Sequence, residues 1–390
     1  MGASIPSLPT PTFVADADGL DPNLILADMI TAFENAAGRV LQPAQVERLL
    51  INLYAYREAL VRNAIQYAAQ QNLLAFSAFP MIDYLGQLVA VTRLAAQPAL
   101  TTIEFTLESA LTVPFTIAAG TPVGTSDGQF IFTTNADLII PAGAASGSVN
   151  ATSQTTGSGA NGYLAGQINV QLSPNALIAS AANTTTSGGG SSPETDDHLR
   201  TRIQAAPNQF SVAGPAGAYR FFALGVDPSI VDVLVVSPQP GTVQVYVLTG
   251  PVTVQPAAAP NPVGIANSAL LEKVAAALSA DEVRPLTDTV QTSAVTEVDY
   301  VITATVNLYS DADPASTQAA VNEAAAQFAI NQALRVQRNI VLSQLEAALS
   351  VPGVYEVLLT APAADLVLTT GQWANCTAIN ITFGTSAEHS

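Results

Sequence analysis

The chain has 390 residues, 49% of them hydrophobic and only 11% charged, which excludes a disordered polymer and leaves room for two to four domains with cores of their own. Thirty acidic residues against 12 basic ones give a formal charge of −18, and Lys273 is the only lysine, so the clustered cations that nucleic acids or anionic membranes require are missing. Cys376 stands alone, which rules out an intrachain disulfide, and no run of about 18 apolar residues is available to span a bilayer.

The start, MGASIPSLPTPTF, lacks the basic-then-apolar pattern of a signal peptide, and Pro6 stands where a myristoylation motif needs Ser or Thr. A protein assembled in the cytoplasm is expected. Residues 24–37 then carry helical spacing, and residues 43–72 predict a long helix opened by Pro43 in its first turn, with Glu47 close behind. Within it Val46, Leu49, Leu53, Tyr56 and Leu60 step by three and four, the spacing of a coiled-coil seam. A second line, Leu50, Tyr54, Val61, Ala64, Ile65 and Ala68, lies beside the first. With a third helix at 81–92, the region 1–98 forms an N-terminal helical segment whose apolar face is wider than two short helices need. The five residues of the first line are therefore the candidate partner interface.

After Pro98 the texture changes. TTIEFTL, FTIAAGTPVGT, QFIFTT and ADLIIPAG are short β-branched and aromatic runs broken by Gly and Pro, the signature of a small all-β sandwich or barrel over 99–189. Residues 138–193 hold no charged side chain, which suits strands and turns covered by neighbours. TTTSGGGSSP closes this region and reads as a flexible hinge. A central domain, 190–296, is expected to hold a helix near Glu194, strands at IVDVLVVS and GTVQVYVLTG, a Pro-rich linker at 251–264 and a helix at 267–280. In the C-terminal domain, 297–390, Val298, Tyr300, Ile302, Ala304, Val306 and Leu308 alternate along one strand face, followed by helices at 314–333 and 340–349 and strands at VYEVLLT and AINITF. Without a regular βαβ cadence, the fold class is α+β multidomain: the helical segment, the all-β domain, then two α+β domains. The hinge at 187–192 and the linker at 251–264 are the expected pivots.

The window SSPETDDHLRTRI (191–203) gathers Ser, Thr, Glu, two Asp and one of two histidines. Ser192 as cap, Pro193 in the first turn and Glu194, Asp196 and Asp197 at the positive end of the dipole account for it as a helix start. A metal site or relay at His198 would need ligands the chain does not supply, since His389 lies in the tail. GSGANG (157–162) matches the dinucleotide fingerprint only in letters: the next acidic residue is Glu194, and no βαβ unit frames it. Trp373 and Cys376 read as core residues. No catalytic, metal or cofactor-binding residues are assigned.

The order of these runs is itself recognisable. ETDDHLRTRI, APNQFSVAGPAGAYRFFAL, DPSIVDVLVVSPQPGTVQVYVL and RPLTDTVQTSAVTEVDYVITATVNLY, with the N-terminal helix and IVLSQLEAALSVPGVYEVLLTAPAADLVL, resemble the baseplate J-like proteins of contractile phage tails, in the form found in P2-like phages. Related proteins occur in R-type bacteriocins and other contractile injection systems. The resemblance implies a non-enzymatic baseplate wedge component located in the virion tail. It implies two copies of the chain joined through N-terminal helices to one I-like tail protein, contacts to a sheath-initiator-like protein, and six wedges around a central hub and spike. It further implies that the C-terminal domains link into a ring that relays the trigger for sheath contraction. One departure is ALRVQRNIVLSQ, which lacks the glycine the family tends to place between two helices. A host-glycan-binding tail protein using the all-β domain is the alternative, although few aromatics are present to stack on sugars; an enzyme ranks third.

Overall fold

The computed structural model of the chain describes residues 9–14, 17–211, 214–250, 264–280, 283–385 and 388, and its fold divides into two compact units. Among the described residues, one unit holds those up to Thr92 together with Leu199–Ile203; the other holds Arg93–His198 and those from Gln204 on.

In the first unit, α1 (Pro22–Ala37) starts where Asp21 accepts a hydrogen bond from the Asn23 amide at 2.8 Å, and stops at Gly38 in the left-handed conformation. It packs Ile25, Leu26 and Met29 onto Ala55 and Ala59 of α2 (Val46–Gln70), whose small side chains let the two backbones approach closely. Sequence placed the start of α2 at Pro43; the helix begins three residues later, because residues 43–44 form a turn ahead of Gln45. α3 (Met81–Gln87) is likewise shorter than expected. The Val91 amide returns to the Gly86 carbonyl at 2.9 Å and Ala90 takes a positive φ, so the chain turns away before the predicted end. Leu199 and Ile203 of α4 (Asp196–Ala205) are buried in this unit, where Arg200 donates to the Leu74 and Ser77 carbonyls at 2.8 and 2.7 Å.

The second unit opens with a six-stranded, nearly closed barrel. Its strands are β1 (Pro98–Leu107), β3 (Pro122–Thr125), β4 (Ile131–Thr134), β6 (Ser146–Thr156), β7 (Ile168–Gln171) and β8 (Ile178–Asn183), in the order β7-β3-β4-β6-β1-β8, all antiparallel. A two-stranded sheet of β2 (Phe115–Ile117) and β5 (Leu138–Ile140) lies in the same region. Ile103, Phe105, Phe132, Ile140 and Ile168 fill the interior. Between the end strands, the buried Asn183 accepts the Ile168 amide at 2.8 Å and donates to the Leu164 and Thr185 carbonyls at 3.0 and 2.9 Å. A side chain thus does what a backbone ladder would do in a fully closed barrel.

The expected hinge is corrected here. Gly188 exchanges two hydrogen bonds with Leu100, Ser191 exchanges two with Gln97, and Asn161 grips Gly190 through both its amide atoms. Residues 187–192 are laced to the barrel rather than hanging between domains. The second expected pivot, 251–264, lies almost wholly outside the described residues.

The central domain lays α5 (Ala216–Leu224) and α6 (Ser268–Leu278) on a three-stranded sheet ordered β11-β10-β9, from β9 (Ile230–Gln239), β10 (Thr242–Thr249) and β11 (Thr289–Ala294). The C-terminal domain covers one face of a β13-β12-β14 sheet with α7 (Pro314–Ala333) and α8 (Leu342–Leu349). Its strands are β12 (Thr296–Leu308), β13 (Val354–Ala361) and β14 (Gln372–Thr385), and the alternation predicted for β12 buries Tyr300, Ile302, Ala304, Val306 and Leu308 against the helices. The helical segment, the barrel and the α+β regions after it come in the order the sequence implies.

Candidate functional site

α2 has a narrow inner face and a wide outer one. Only Ala55, Ala59 and Gln66 are buried along its 25 residues. Gln66 accepts the Phe13 amide at 2.7 Å and donates to the Pro11 carbonyl at 2.6 Å, so an extended N-terminal arm continues the cover that α1 begins. Arg62, also on this side, donates to the Gly19 carbonyl at 3.2 Å and pairs with Glu58 at 2.8 Å.

The outer face is uncovered. Val46, Leu49, Leu53, Tyr56 and Leu60 are between 48% and 67% exposed, and Leu50, Tyr54, Val61 and Ile65 between 50% and 66%. At 3.6 residues per turn the second stripe lies roughly 110° round the helix from the first, with Arg57 between them. Tyr67 extends the first stripe by two turns and is 60% exposed. A free-standing helix of this composition is a poor solute. Covering five such side chains contributes on the order of 10 kcal/mol before the entropy lost on association is subtracted. Apart from Arg57, charge lies on the flanks, where Arg39 pairs with Glu47 at 2.8 Å; the helix-end amide and this guanidinium hold the Glu47 carboxyl below its ordinary range.

The acidic window around His198 is built differently from its expected form. α4 starts at Asp196, with the Thr195 hydroxyl accepting the His198 amide at 3.3 Å, so Ser192 does not cap it. The reason is that the Glu194 amide and the Ser191 backbone are bonded to Leu94 and Gln97, which keeps 191–194 extended. Glu194, whose side chain is fully buried, accepts the Leu94 amide at 2.8 Å, and His198 Nδ1 lies 2.6 Å from its other oxygen. Arg93 ties down the Glu194 carbonyl and the Asp196 carboxylate, each at 2.7 Å. His198 Nε2 meets no partner among the described residues. Among the described residues no three His, Cys, Asp or Glu converge as metal ligands, and His389 lies outside them.

GSGANG follows β6 as a loop with a single short 3-10 turn (Ser158–Ala160), not a strand-to-α-helix junction. Trp373 and Cys376 are core residues, 1% and 2% exposed. A cleft of about 410 Å³ between barrel and central domain is lined by Thr102, Asn150, Asp227, Asn267 and Lys273 among others, with no aromatic ring in its lining against which a sugar could stack. No described helix is long and apolar enough to cross a membrane.

Sequence reasoning found the exposed stripes because they are periodic. It missed Gln66 and Asn183, whose signals are fainter: a polar residue interrupting the Ala55–Ala59 face, and one amide among many in a Ser, Thr and Asn-rich stretch.

A helical segment, a barrel and α+β regions in series along the chain, with an apolar helix face left exposed, define a multidomain α+β protein. Comparison with known families gives that class its particular form. Four family models match in order: the baseplate J-like N-terminal domain over 47–99, the baseplate J-like barrel domain over 102–190, the central domain over 211–294 and the C-terminal domain over 300–382. The chain belongs to the baseplate J-like family. It is 36% identical over 195 residues to baseplate protein J of Escherichia phage P2, a match spanning 50% of this chain and 61% of that protein. Its fold is also similar to a chain in a six-fold symmetrised cryo-EM structure of the anti-feeding prophage baseplate, at 16% identity and a TM-score of 0.38 over 91% of this chain and 90% of the other.

Proposed function

We propose that this protein is a structural component of the baseplate of a contractile tail or injection system, and that α2 is the element by which it joins its wedge. The observation that carries this reading is the outer face of α2, with nine large apolar side chains in two stripes at least 48% exposed. Family membership and the likeness to the phage P2 protein support the setting. Two stripes on one helix suit two helical neighbours, the arrangement expected when a second copy of the chain and one I-like tail protein share a bundle. The sheath-initiator-like protein and the central hub and spike are further contacts in this reading, and the assembled ring relays the contraction trigger. Its chemistry is interface burial, not catalysis.

The test is co-expression with an I-like tail protein from the same genome, followed by native mass spectrometry. A complex of two copies to one is expected. Replacing Leu53 and Leu60 together by Asp puts two charges at the centre of the first stripe; it should abolish that complex while the barrel stays folded by circular dichroism. Persistence of the complex in the double variant would remove α2 from the interface.

A further inference from the structure

The boundary between the central and C-terminal domains is not a linker. β11 ends at Ala294 and β12 begins at Thr296, so one extended segment runs through both sheets with only the buried Val295 between them. In the first sheet it pairs in parallel with β10, and in the second it pairs in parallel with β14. A bend here would break ladder bonds on both sides.

The corner is also filled. Trp373, the only tryptophan in the chain, lies at the start of β14 and packs with Leu248 of β10, Val295, Ala333 and Val336. Its indole N–H donates to the Ala333 carbonyl at 2.6 Å, so the ring is fixed in orientation as well as covered. Two glycines give the corner room: a Cβ at Gly264 would stand 2.7 Å from the Trp373 ring, and one at Gly371 would collide with the Tyr246 ring packed beside it. Both take positive φ, so their conformation as well as their lack of a side chain is needed. One polar bond crosses at the same place, and another closes the start of the second sheet beside it. Asp232 of β9, buried and paired with Arg220, accepts the Val336 amide at 2.9 Å, and the Thr296 amide donates to the Gly371 carbonyl at 2.8 Å.

We infer that the central and C-terminal domains form one rigid arm, locked at the Trp373 corner, so that no rearrangement of this protein pivots between them. Interdigitated cores are bistable or fixed rather than continuously deformable, and this one offers no second packing for a ring bonded at its nitrogen and seated on Gly264. The inference is independent of what the protein assembles with. It concerns the 214–385 region alone, and holds or fails whatever covers α2.

Nitroxide labels placed on the full chain at Glu272→Cys and Glu346→Cys, exposed positions on α6 and α8, report the angle by pulsed electron–electron distance measurement; the native Cys376 is buried in the core. One narrow distance is expected. Truncating the corner by Leu248→Ala, or by the milder Val336→Ala if the first does not fold, should roughly double the width of that distribution as the packing loosens. A broad or two-peaked distribution in the labelled chain with its corner intact would overturn the rigid arm, as would a width unmoved by the truncations.

Discussion

Gln337 shows how a single residue can be read from chemistry that is missing. The stretch ALRVQRNIVLSQ has no glycine, yet the backbone between α7 and α8 takes φ +60 at Gln337, and its amide is held by the Gln372 carbonyl at 2.8 Å. The left-handed conformation is therefore imposed, on an exposed side chain that has a Cβ to strain. For an L-residue this costs roughly 1–2 kcal/mol, of which glycine would recover about half, since about 0.5–1 kcal/mol is lost to its freer unfolded chain. Gln337→Gly should accordingly raise the Tm by about 1–3 °C in differential scanning calorimetry. Gln337→Ala, with the same Cβ, should not. A glycine variant no more stable than the alanine one would mean that the helix junction relaxes and stores no strain.

At the scale of elements, barrel closure rests on a side chain, helped by the Gly166 amide bonded to the Asn183 carbonyl at 2.8 Å. The backbone ladder stops between β7 and β8, and Asn183 spans the gap with one accepted and several donated bonds from a site 2% exposed. Asn183→Ala leaves the buried Ile168 amide without its acceptor, while the Tyr163, Leu164 and Thr185 carbonyls keep the Ser187 amide, the Gln167 amide and the Thr101 hydroxyl; it should cost about 1–3 kcal/mol. Hydrogen–deuterium exchange should quicken first across 163–171 and 178–185. Exchange no faster there than in β1 would show that the interior packing alone closes the barrel. The same strands mark the limit of what the sequence reveals. α7 is legible to the residue, from Pro314 behind the capping Asp313 to Ala333, because caps and proline punctuate it. β12 is legible because its buried positions alternate cleanly. β6, β7 and β8 sit in a stretch of Ser, Thr, Asn and Ala where neither face is strongly apolar, so period and register leave no trace. The false hinge at 187–192 arose the same way: glycine signals freedom locally, and the pairing with Gln97 and Leu100 that removes it comes from residues almost a hundred positions away.

The molecule as a whole combines an apolar interface with a net charge of −18, and the two act in opposite directions when copies meet. Each chain repels the next at long range, whereas the α2 stripes attract only at contact, where Arg57 is the one charged side chain between them. At low ionic strength the repulsion reaches about 30 Å at 0.01 M salt and is cut to about 3 Å at 1 M, while burial of apolar surface is left intact or slightly strengthened. Self-association through α2 should therefore tighten as salt rises, the reverse of an interface held by ion pairs. Sedimentation velocity of the purified chain at about 20 mM and 500 mM sodium chloride measures this, with a several-fold fall in Kd expected at the higher salt. The Leu53→Asp, Leu60→Asp variant should stay monomeric at both, since it adds charge to the surface that must be buried. Weaker association at high salt would assign the contact to the flanking pairs, Arg39–Glu47 and Glu58–Arg62, and the apolar stripes would then be covered only by a different protein.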